Sequence, residues 1–125
     1  MSRNWLPFNP RRAPVVSVRL GDGVFRALVD TGAEVSLIAP GPSLRLGLQQ
    51  AGTKEIAALS GPRYSLRLVA LPSIGFGNVE LPPCQAGVHD VTKLGLPIEL
   101  VLGVNAFANR RLQIDFREGR IYVLE

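Results

Sequence analysis

Ten prolines and thirteen glycines are spread along the whole 125-residue chain, and few stretches run longer than eight residues without one. Proline removes a backbone donor and glycine weakens a helix interior, so long helices are excluded. Between these breaks stand short apolar runs of strand length, several of them alternating with a two-residue period. The fold class expected is all-β. One domain fits the length, with enough surface to bury a single core.

The first six-residue run, Val15 to Leu20, turns at Gly21-Asp22-Gly23 into Val24 to Val29, a hairpin through a glycine-bracketed turn. Val35 to Ile38 returns as a strand and stops at Pro40-Gly41-Pro42, after which Ser43 is placed to cap a short helix over about 44–50. Lys54 to Leu59 and Tyr64 to Leu71 form a long hairpin bent at Ser60-Gly61-Pro62, with Tyr64, Leu66, Leu68 and Ala70 on one face. A short strand follows near 78–81 and another over 84–91. Glu99 to Leu102 is a short apolar strand ending at Gly103, and 104–109 suits a helix of one or two turns. Arg111 to Phe116 and Arg120 to Leu124 close the chain as a hairpin across Glu118-Gly119. Residues 1–14, with Pro7, Pro10 and Pro14, read as an arm or linker, although Trp5 and Phe8 are able to pack down.

Several function classes drop out. The single cysteine, Cys84, and the single histidine, His89, leave no set for a disulfide framework or a structural zinc, and no metal or cofactor is expected. Cys84 reads as a small buried hydrophobe and His89 as a surface or edge residue. The net charge of +4 comes from scattered arginines rather than a block, which argues against a nucleic-acid partner. No apolar run reaches the length of a membrane span and the start lacks a secretory h-region, so no membrane partner is expected and a cytoplasmic location is.

One stretch resists this account. Leu28-Val29-Asp30-Thr31-Gly32-Ala33-Glu34-Val35-Ser36-Leu37-Ile38 holds a carboxylate between two apolar strands, at the edge of a β core. Asp and Gly favour tight bends, so the plain reading is a turn. Together with Leu100-Val101-Leu102-Gly103 and the closing hairpin, however, it resembles the retropepsins, the retroviral-type aspartic proteases, and more closely their cellular and bacterial single-domain relatives. The likeness covers residues 15–125, which are expected to form the protease domain.

The resemblance implies a small closed acid-protease β-barrel with one or two short helices, working as a two-fold homodimer on a protein or peptide substrate. Asp30 would be the catalytic residue, one from each chain, because a carboxyl dyad must hold one ionised and one protonated member. Thr31, Gly32 and Ser36 would support it. Gly32, Ala33 and Glu34 would meet the substrate, with Ser60, Gly61 and Pro62 at the tip of a covering flap; Glu34 also reads as a solvated turn charge, and the tip as a plain β-turn. Leu102, Gly103 and Asn105 would form the structural motif beside Asp30. Val104 stands where the viral enzymes commonly place an arginine. The other reading is a catalytically inactive module of the same fold that dimerises or binds peptides.

Overall fold

A computed structural model describes residues 3–57 and 62–124 of the chain. Among them are twelve strands and one α-helix: β1 (Trp5–Pro7), β2 (Val15–Leu20), β3 (Gly23–Val29), β4 (Ser36–Ile38), α1 (Pro40–Leu46), β5 (Gln50–Ala57), β6 (Arg63–Leu71), β7 (Ile74–Phe76), β8 (Val79–Leu81), β9 (Cys84–Val88), β10 (Leu100–Leu102), β11 (Arg111–Asp115) and β12 (Arg120–Leu124). Single 3-10 turns cover Val91–Leu94 and Val104–Phe107. No helix among the described residues is long and apolar enough to cross a membrane.

Nine strands form one sheet in the order β5-β6-β9-β4-β10-β3-β2-β7-β8, and β1-β12-β11 form a second. Val69 and Leu71 of β6 share a buried cluster with Leu81 of β8, seven places away in the strand order. In a flat sheet those strands would lie about 30 Å apart, so the sheet must curl. It is curled and not the closed barrel expected, because among the described residues the outermost strands β5 and β8 share no ladder. Most neighbours are antiparallel; β3 with β10 and β4 with β9 are parallel. Those two parallel contacts bring the first third of the chain and its C-terminal third to one place.

Four local expectations are corrected. Residues 5–7 are no free arm: β1 pairs with β12, and Phe8 is buried. Pro7 is tolerated because β1 is an edge strand and its missing N–H faces no neighbour. The helix begins earlier than 44, with Ala39 at its N-cap and Pro40 in its first turn, and ends at Gly47 in the left-handed region. A proline fits the first turn because that N–H has no helical partner, and Ser43 is left inside the helix, buried. Leu44 is 82% exposed, while Leu46 and Leu48 pack on the core. In β6 the face switches along the strand: Leu66 and Leu68 are buried, then Val69 and Leu71, with Tyr64 and Ala70 exposed. The strand over 84–91 ends at Val88, and Val91 opens a 3-10 turn whose start is capped by the Asp90 carboxylate accepting from the Thr92 N–H. The Thr92 hydroxyl donates to the same carboxylate oxygen, and that bond, with the one from the N–H behind it, holds the Asp90 carboxyl below its usual range.

Candidate active site

β3 runs out of the sheet at Val29, and the next residue, Asp30, stays tied to it through its backbone N–H, which donates to the Leu102 carbonyl (2.9 Å). The chain then folds back on itself: the Ala33 N–H donates to the Asp30 carbonyl (3.1 Å), and the Gly32 N–H donates to Asp30 Oδ1 (3.0 Å). The carboxylate is thereby oriented by its own loop and half-buried, with no donor to its second oxygen among the described residues. Gly32 allows the close turn, since a Cβ there would stand 3.2 Å from Asp30 Oδ1. Thr31 lies exposed beside it.

The loop hangs from β10. Leu100, Val101 and Leu102 are fully buried between β3 and β4, with Leu102 opposite Val29 and Val101 opposite Leu37. After them the Val104 N–H donates to the Ala33 carbonyl (2.8 Å), so the 30–33 turn is held from both sides. A Cβ on Gly103 would meet the Ala33 carbonyl oxygen at 2.5 Å and the Val35 carbonyl carbon at 3.0 Å. This crossing of two backbones is what the apolar-apolar-glycine sequence makes room for.

A small polar web locks the crossing. Asn105 Oδ1 accepts from both the Ser36 N–H (2.9 Å) and the Ser36 hydroxyl (2.7 Å), while its amide nitrogen donates to the Gln85 carbonyl (2.6 Å). The Ser36 oxygen in turn accepts from the Gly103 N–H (3.0 Å). Ser36 is completely buried, and every polar atom it offers is used. Ser36→Ala is expected to cost about 1–3 kcal/mol, because the buried Gly103 N–H loses its acceptor; a urea titration that shows no change would remove Ser36 from this role. Cys84 lies next to this web, and burial pushes its thiol above the usual range.

Beside the loop opens a cleft of about 670 Å³, beginning at Gly32 and Ala33 and running out under β5 and β6. Its apolar wall comes from Val35, Leu37, Ile56, Leu66 and Leu94, with Tyr64 and His89 at its margin. The sequence pointed to Gly32, Ala33 and Glu34 at this place but not to Leu37, Leu66, His89 or Leu94. The two-residue alternation through Gly87 and His89, and through Tyr64 and Leu66, is the signal that could have found them. Glu34 stands at the mouth, 87% exposed, with Lys54 Nζ 3.9 Å away; an exposed pair at that distance contributes little. Pro62 is exposed at the start of the returning strand, whereas Ser60 and Gly61, expected at the flap tip, lie outside the described residues.

A single aspartate loop held against a parallel apolar strand by a buried serine–asparagine web, beside a cleft covered by a long hairpin, defines the retropepsin type of fold. A family model described as aspartyl protease matches residues 16–106, and the chain belongs to that family. No curated protein matches it. Among solved structures, a retropepsin-like aspartic protease from Rickettsia conorii superposes with a TM-score of 0.67 at 16% identity, covering 95% of this chain and 87% of that one. The retroviral protease-like domain of Ddi1 from Leishmania major gives 0.58 at 14% identity, over 90% of this chain and 94% of that one. The EIAV protease in complex with an inhibitor gives 0.58 at 20% identity, over 78% and 86%. At these identities the likeness is one of fold.

Proposed function

We propose that two copies of this chain form an aspartic endopeptidase, with residues 15–125 as the protease domain and one Asp30 from each copy meeting at a two-fold axis. The observation that carries this is the Asp30 loop itself: an oriented, half-buried carboxylate two residues from Gly32, where the cleft begins, present once per chain. Two identical carboxylates across an axis cannot both ionise cheaply, so one keeps its proton. The ionised member takes a proton from water as the water oxygen adds to the scissile carbonyl carbon. The protonated member hydrogen-bonds the carbonyl oxygen and gives up its proton to the oxyanion that forms. Collapse of the neutral tetrahedral diol breaks the C–N bond: the carboxyl that took the water proton gives it to the leaving amine while the other carboxylate takes one from a diol hydroxyl, so the dyad again holds a single proton.

The remaining residues take roles that belong to the same proposal. Thr31 faces its counterpart across the axis and ties the two loops. Gly32 and Ala33 keep the floor low enough for an extended peptide, and Glu34 accepts from the peptide's backbone amides. The peptide lies as an added strand, and Ser60, Gly61 and Pro62 are assigned to substrate binding. No cofactor takes part. The apolar wall of the cleft suits apolar side chains on the substrate.

The test is a peptide library digested by the purified chain over about pH 3–7 and read by mass spectrometry, with the oligomeric state measured in the same sample. Cleavage between apolar residues, with activity per chain rising with chain concentration, is the expected result. A dimer that cuts nothing would sink the endopeptidase and favour an inactive peptide-binding module of the same fold. The observation on that side is Val104, 47% exposed, which offers only its backbone N–H to the loop where an arginine is common in the viral enzymes.

A further inference from the structure

We propose that Gly87, which does not itself line the cleft, sets the size of substrate side chain the cleft admits by letting Leu66 lie flat across β9. The inference rests on the peptide-binding reading of the cleft. Gly87 is paired with Leu37 of β4 on one side and Leu68 of β6 on the other. Directly paired residues present their side chains to the same face of a sheet, and Leu37 lines the cleft. The face that Gly87 leaves bare is therefore the cleft's own floor.

Leu66, the diagonal neighbour two residues from Leu68, fills that bare spot. A Cβ built on Gly87 would stand 2.5 Å from Leu66 Cγ and 3.0 Å from its Cδ1, closer still to Cδ2. Leu66 is only 3% exposed and forms part of the wall. The sheet lies beneath it and the cleft above, so a methyl group on residue 87 moves Leu66 in one direction, into the cleft. Gly87 has no positive φ to explain it. Space for Leu66 is what the glycine provides, and the effect of filling that space is steric.

The experiment uses reduced-amide octapeptides, which bind without being cut, carrying Ala, Leu or Phe at each position in turn, with affinities measured by calorimetry. At one peptide position Gly87→Ala is expected to weaken Leu and Phe by about tenfold or more relative to Ala. Adding Leu66→Ala to that variant restores the preference, which a general loss of stability would not do. An equal loss for all three side chains, or no loss in the folded variant, overturns the proposal. Should Gly87→Ala fail to fold, Leu66→Ala alone carries the test: it deepens the floor and favours Phe over Ala by about tenfold, and an unchanged preference overturns the proposal. Peptide binding with no cleavage of the library by the wild type sinks the endopeptidase and leaves this assignment standing; cleavage with an unaltered preference sinks this assignment alone. A wild-type chain that binds none of the octapeptides overturns both.

Discussion

Asp30→Asn is expected to abolish peptide cleavage, by about 10²–10⁴-fold or more, while leaving fold and dimer intact. Asparagine matches aspartate in shape, and its Oδ1 still accepts from the Gly32 N–H that orients the native carboxylate. What it cannot do is ionise or carry the shared proton. The sharper form of the test mixes variant and wild-type chains. If each site needs one Asp30 from both chains, an equal mixture that exchanges freely keeps about a quarter of the wild-type activity, since only that fraction of dimers is fully native. Activity falling to one half would mean that each chain works alone, and the two-chain site would have to be given up.

The second large effect is structural. Gly103→Ala is expected to destabilise the protein by about 2–4 kcal/mol, a drop of about 10 °C in thermal midpoint for a domain of this size. The reason is space and not torsion: Gly103 has φ −88° and ψ −173°, open to any residue, but its Cβ would be driven into the Ala33 carbonyl. Both partners are backbone, held by the hydrogen bonds that fix the Asp30 loop, so neither yields without displacing the carboxylate. Gly47 supplies the contrast. It sits at φ 61° with nothing within 4 Å of its Cβ position, and Gly47→Ala is expected to cost only about 1–2 kcal/mol, the left-handed penalty alone. A calorimetric comparison in which the two variants melt together would show that the crossing at Gly103 is looser than drawn.

Much of the frame was legible from the residues. The hairpin over 15–29 and the closing hairpin declare themselves by alternation and glycine turns, and both stand where expected. The pairing of 100–102 with the end of β3 was legible only through the family resemblance, since no local pattern says which strand a buried apolar run will join. The curl was not legible: whether β5 and β8 meet depends on twist summed over nine strands, which no single strand encodes. Residues 5–7 were misread because prolines look the same in an arm and in an edge strand until the neighbour is known. At the candidate site Ser36 and Asn105 were named without their bond to each other, a contact between residues 69 apart. His89 was read as a surface or edge residue and is exposed, yet it borders the cleft, because the strand before it pairs beside β4, whose Leu37 also lines the cleft, in a way its own sequence does not state.

The ties between Asp30 and Leu102 and between Ser36 and Asn105 also dictate an order of events when the protein is made. Residues 15–38 hold the whole Asp30 segment and the turn bonds that orient its carboxylate, yet the strand and the amide that tie that turn to the rest of the fold come some seventy residues later. Closing so long a loop is slow and is rewarded only when the partner segment is present. A chain still in synthesis, or one cut before Asn105, therefore carries the carboxylate on an unsupported turn. Competence arrives late and at one stroke, with the last third of the chain.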